Sequence, residues 1–131
     1  KSVPIELLSR RDQGAHVNAT RTNIILYCRN WQGSVDFYAS TLGLRPTVRK
    51  EWFVEFRVSK EAYLSVADER RTSIESAAGA GVTVSFRVDD AEGLRQELIA
   101  KGATPGEMRQ VWGSGAFFIW DPEGNRLEFW S

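Results

Sequence analysis

VWGSGAFFIWDPEGNRLEFW, running from Val111 to Trp130, holds two apolar and aromatic runs, Ala116 to Trp120 and Arg126 to Trp130. Between them lies Asp121-Pro122-Glu123-Gly124-Asn125, in which proline presets a turn dihedral while glycine and asparagine tolerate positive φ. The pattern predicts a β-hairpin. In the second run, alternation puts Leu127 and Phe129 on one face and Arg126, Glu128 and Trp130 on the other, because successive side chains of a strand point to opposite sides. Glu128 therefore sits beside a tryptophan on the face away from the apolar pair.

Upstream of this hairpin, Val82 to Val88 alternates, with Val84, Phe86 and Val88 on one side and Thr83, Ser85 and Arg87 on the other. A helix follows, capped by Asp89 or Asp90, with Ala91, Leu94, Leu98 and Ile99 as its buried stripe and Gly102 as its stop. The first half repeats this order. Asn23 to Cys28 reads as a strand with Ile24, Leu26 and Cys28 inward and Asn23, Ile25 and Tyr27 outward. Val35, Tyr38 and Leu42 form a helical stripe within Trp31 to Leu42, capped by Asn30 and stopped at Gly43. Leu44 to Lys50, Trp52 to Val58 and Ala62 to Ala67 then read as strands, the last two joined through Ser59-Lys60-Glu61. Asp68 to Gly81, four charges followed by small residues, reads as a flexible connector.

The two halves align. Asn23 to Cys28 overlies Thr83 to Val88 at an offset of 60 residues, whereas Val35 over Leu94, Gly43 over Gly102 and Pro46 over Pro105 run one residue less. The spacing predicts an internal repeat with a one-residue slip in the loop before the helix. The fold class is thus α+β: two tandem βαβββ modules forming curved, mainly antiparallel sheets around a cavity. Residues 1–21 form an N-terminal extension, and residues 22–131 a single domain with module 1 at 22–67, a linker at 68–81 and module 2 at 82–131.

Composition sets bounds. A single domain of 131 residues buries about two-thirds of its unfolded surface, enough for a core without disulfides or structural metal. Lys plus Arg and Asp plus Glu total 17 each, so bulk charge recruits neither nucleic acid nor an anionic membrane. No apolar run approaches the roughly 20 residues that span a bilayer. Cys28 is the only cysteine, which fits a reducing, cytoplasmic setting and a role as inert core. KSVPIELLSRRDQGAHVNAT reads as a polar extension with a weakly amphipathic patch at Val3 to Leu8, too interrupted for a signal peptide.

The doubled module, with RNWQGSVDFYASTLGLRP in one half and VDDAEGLRQELIAKGA then WDPEGNRLEFW in the other, resembles the vicinal oxygen chelate superfamily of glyoxalases, ring-cleaving dioxygenases and fosfomycin and bleomycin resistance proteins. The resemblance covers about Thr22 to Ser131. It implies paired βαβββ modules, assembled as a homodimer, and says less about function because the fold hosts unrelated chemistries. Metal-dependent members draw ligands from positions that fall here on Asn23, Ser65, Thr83 and Glu128. Of these only Glu128 matches the expected residue type, and one carboxylate among a serine, a threonine and an asparagine is a poor offer to zinc, iron or nickel. His16, the chain's only histidine, lies in the extension. The expected site has no metal and no cofactor, a divalent metal being the alternative.

What remains is an aromatic cavity. Of five tryptophans, Trp52, Trp112, Trp120 and Trp130 fall on candidate strands, and indole stacks well on flat ligands. Trp112-Gly113 before the DPEGN turn also resembles bleomycin resistance proteins, whose aromatic groove holds a planar, cationic drug, although the zero net charge here counts against a strongly cationic ligand. Glu128 has three readings: a hydrogen-bond acceptor or cation partner for a ligand, a general base with a raised pKa, or a structural partner of Arg87. Tyr27 and Tyr63 orient a ligand or fill the cavity, and Glu55 and Arg57, on one strand face, belong to a solvated face or form a cross-strand or subunit contact. Two functions follow. One is a metal-independent binding protein that sequesters an aromatic or antibiotic-like small molecule, with Trp112, Trp120 and Trp130 as walls and Asn23, Tyr27, Tyr63, Ser65, Thr83, Arg87 and Glu128 as polar lining. The other is a lyase, isomerase or dioxygenase in which Glu128 is the catalytic base or a remaining metal ligand.

Overall fold

The computed structural model describes residues 15–131; the Val3 to Leu8 patch lies outside the described residues. The first half runs β1 (Thr22–Cys28), α1 (Trp31–Asp36) continuing into a π-helical turn (Phe37–Thr41), β2 (Arg45–Lys50), β3 (Phe53–Ser59) and β4 (Ala62–Asp68). The second runs β5 (Thr83–Arg87), α2 (Ala91–Ala100), β6 (Arg109–Val111), β7 (Ser114–Trp120) and β8 (Arg126–Trp130). Two four-stranded sheets result, ordered β1-β4-β3-β2 and β5-β8-β7-β6. In each, the first strand pairs in parallel with the last and the other pairings are antiparallel. The chain has the tandem βαβββ fold that its sequence predicts.

Equivalent caps open the two helices. Asn30 Oδ1 accepts from the Gly33 amide at 3.1 Å, and Asp90 Oδ1 from the Gly93 amide at 3.0 Å, so the repeat keeps its full offset through both N-termini. The one-residue slip therefore falls inside the first helix and not, as expected, in the loop before it. Leu42 N–H donates to Phe37 O at 2.9 Å, a five-residue step that absorbs the extra residue as a π-bulge.

The inward residues of both modules form one core. Leu26, Cys28, Val54, Phe56, Leu64 and Val66 of the first sheet join Val84, Phe117, Ile119, Leu127 and Phe129 of the second, with Val35, Tyr38 and Leu98 from the helices. Cys28 is fully buried, and burial pushes its thiol up to about 12, consistent with inert packing. Ile99 is 42% exposed, contrary to expectation, because it projects more than a quarter-turn from the Ala91, Leu94 and Leu98 stripe.

The DPEGN turn fastens one module to the other. Asp121 is buried and accepts from the Glu123 and Asn125 amides and from Asn125 Nδ2, each at 2.9 Å, and from the Tyr38 hydroxyl at 2.6 Å. Glu123 accepts from the Arg29 and Asn30 amides and from Ser76 Oγ. Burial pushes its carboxyl up, but those donors bring it below the usual range. The connector read as flexible is pinned by the same turn. Gly79 has φ +83°, and a Cβ there would meet Gly124 O at 2.1 Å, a collision of backbone with side chain that excludes every residue but glycine.

Candidate functional site

Strand pairing builds the outer face of the second sheet. Ser85 lies beside Glu128 in the parallel β5–β8 register, while Phe118 and Ala116 of β7 face Glu128 and Trp130. Alternation sends all of these side chains away from the core. Glu128 Oε1 accepts from Ser85 Oγ at 2.6 Å. Arg87 lies over the Trp130 ring with its guanidinium carbon 5.5 Å from the centroid, so the Arg87–Glu128 pair weighed from sequence gives way to a cation–π contact. Phe118 lies under two guanidinium groups, Arg126 at 4.3 Å and Arg109 at 5.2 Å. Against these three arginines, the strands of this sheet carry one carboxylate, that of Glu128.

A cavity of about 380 Å³ is lined by Trp112, Ser114, Ala116, Glu128 and Trp130. Trp112 is not on a strand as expected. It occupies, with Gly113, the two-residue turn of the β6–β7 hairpin, where both residues take positive φ, +53° and +79°. Such turns favour asparagine and glycine, and a bulky residue there carries strain. Trp112 is 98% exposed, so core packing does not account for the choice.

The other predicted residues are distributed over separate sites. Trp120, 51% exposed, borders a different depression with Phe37, Thr41 and Lys101. Tyr27 lies with Ile25, Trp52 and Ile74 in a third; Trp52 itself precedes β3, in the turn after β2, and not on a strand. Tyr63 and Arg87 line a groove of about 330 Å³ between the sheets, with Thr22, Ile24, Ser85 and Phe86. Thr83 is exposed and accepts from Arg126 Nε at 2.9 Å. Ser65 is fully buried and donates to Asn23 Oδ1 at 2.8 Å.

Sequence reasoning missed Glu55. Read as solvated, it is 6% exposed because β4 and β2 flank its strand and place it opposite Ser65 and Val48. Its carboxylate accepts from Thr47 Oγ1 at 2.8 Å and Asn23 Nδ2 at 3.4 Å, and pairs with Arg21 at 2.6 Å. The register of the β3–β4 hairpin, which sets Glu55 beside Ser65, was the available signal.

Asn23, Ser65 and Thr83 are committed to Glu55, Asn23 and Arg126 respectively, and among the described residues no three His, Cys, Asp or Glu side chains are grouped to hold an ion. The donor set does not fit zinc, iron or nickel. Among the described residues no helix is long and apolar enough to cross a membrane.

The profile of the Glyoxalase/Bleomycin resistance protein/Dioxygenase superfamily matches residues 15–129. No curated relative matches the sequence. Solved structures of the same fold include a lactoylglutathione lyase from Agrobacterium tumefaciens, 19% identical with a TM-score of 0.70 over 86% of this chain and 93% of that one. A glyoxalase/bleomycin resistance protein/dioxygenase from Nocardioides is 20% identical, TM-score 0.73, covering 97% and 92%. An antibiotic binding protein from Streptomyces sp. CB03234 is 14% identical, TM-score 0.73, covering 88% and 97%. At these identities the likeness is one of fold.

Proposed function

The chain belongs to the glyoxalase/bleomycin resistance protein/dioxygenase superfamily, and from that premise we propose that it is a metal-independent, cytoplasmic binding protein that sequesters an aromatic small molecule on the outer face of its second sheet. The observation that carries this reading is Trp112, held on a strained hairpin tip and almost wholly exposed, which lines one cavity together with Trp130 and Glu128. Two indoles supply large contact area at low conformational cost. Likeness in fold to an antibiotic binding protein agrees with it. The guanidinium groups of Arg87, over Trp130, and of Arg109 and Arg126, over the neighbouring Phe118, favour a neutral or anionic aromatic over a cationic one, and Glu128 accepts a hydrogen bond from a ligand hydroxyl. The assembly in this reading is a homodimer.

Titration with 6-hydroxy-2-naphthoate, followed by tryptophan fluorescence, tests the site. Quenching that saturates with a dissociation constant of about micromolar order is expected. Glu128→Gln should weaken it about tenfold or more, the worth of a hydrogen bond to a charged acceptor, while 2-naphthoate, lacking the hydroxyl, should be indifferent to that substitution. Absence of saturable quenching by either compound, or the same loss for both, overturns the reading.

A further inference from the structure

The first sheet carries a separate arrangement that does not depend on the reading of the second. Glu55 is a buried carboxylate on an outer face. Its neutral partners are Thr47 Oγ1 and Asn23 Nδ2, and Asn23 is itself oriented by Ser65 Oγ. These hydrogen bonds fix the direction of the carboxylate but leave its charge uncompensated, and a buried charge without a counter-ion is costly. The compensation comes from outside the sheet. Arg21, one residue before β1, reaches over with its Nη2 2.6 Å from Glu55 Oε1 and its guanidinium carbon 3.7 Å from the Tyr63 ring centroid. The guanidinium beside Glu55 holds its carboxyl below the usual carboxylate range.

Aromatic face, oriented carboxylate and flanking amide and hydroxyl are the elements with which proteins recognise a planar cation. Arg21 fills that recognition cup while leaving 44% of its own side chain in solvent, whereas the Glu55 side chain is 8% exposed. The buried half of the pair is thus the acceptor and the exposed half the cation. We propose that Glu55, Tyr63, Thr47 and Asn23 form a binding site for the guanidinium group of a small molecule, with Arg21 as an intramolecular occupant that the ligand displaces.

The test uses methylguanidinium as probe and methylurea as its neutral isostere, with binding followed through the backbone amide resonances of Glu55 and Tyr63 in the full chain. A tethered guanidinium competes at an effective concentration of order millimolar, so its removal frees the cup. Arg21→Ala should bind methylguanidinium saturably and about tenfold or more tighter than the unmodified protein, and Arg21→Gln, which keeps most of the stem, should do the same and serves if the alanine variant folds poorly. Adding Glu55→Gln to either should abolish binding, and methylurea should shift neither resonance. Methylammonium separates the charge from the plane: it should bind more weakly than methylguanidinium. Equal affinity in the presence and absence of Arg21, binding that survives Glu55→Gln, or an equal response to methylurea overturns the proposal and leaves Arg21 as a tether for the start of β1.

Discussion

Asp121→Ala is expected to cost about 3–5 kcal/mol of stability in urea unfolding, because it strands two buried side-chain groups at once, each worth about 1–3 kcal/mol when unsatisfied. The Tyr38 hydroxyl and the Asn125 amide both lose their partner, and the amides of Glu123 and Asn125 lose theirs. The consequence reaches beyond the turn, since Tyr38 belongs to the first module and is fully buried. Tyr38→Phe should cost about 1.5–3 kcal/mol, the range for a hydrogen bond to a charged group. The double variant should cost less than the sum, as expected of residues that share one bond. A loss under about 1 kcal/mol for Asp121→Ala would mean that the modules are held by core packing alone.

Trp130→Ala should weaken 6-hydroxy-2-naphthoate by about 30-fold, near 2 kcal/mol, the scale of an aromatic hot spot. Two effects combine: the substitution removes one wall of the cavity, and it releases Arg87 from the ring it covers. Trp120→Ala is the matched control. It removes an indole from the same outer face, but at a separate depression, and should leave affinity unchanged while altering total fluorescence. Equal losses in both variants would place the ligand elsewhere on the sheet.

Much of the fold is legible because alternation and capping are local signals. Leu127 and Phe129 are buried and Glu128 points outward, as period two requires, and Asn30 and Asp90 cap helices where their position before an apolar stripe indicates. The site was less legible because it depends on register between distant strands. Glu55 differs in no local respect from a solvated glutamate; β2 and β4 on either side make it buried. Trp112 has an apolar side chain that reads as strand, yet the two-residue turn took precedence, with Gly113 supplying only one of the two positive φ values. The slip between the repeats was visible in sequence as a change of offset, but whether a loop or a helix absorbs it is decided by hydrogen bonding across Phe37 and Leu42.

The Glu128 face should bind its ligand without a metal. Titrating 6-hydroxy-2-naphthoate into protein stripped with a chelator, alongside elemental analysis of untreated protein purified without one, addresses it directly. The dissociation constant should be unchanged after stripping, with no stoichiometric zinc, iron, nickel or manganese before it. A stoichiometric transition metal whose removal abolishes binding and whose return restores it would make the Glu128 face a metal-dependent site instead.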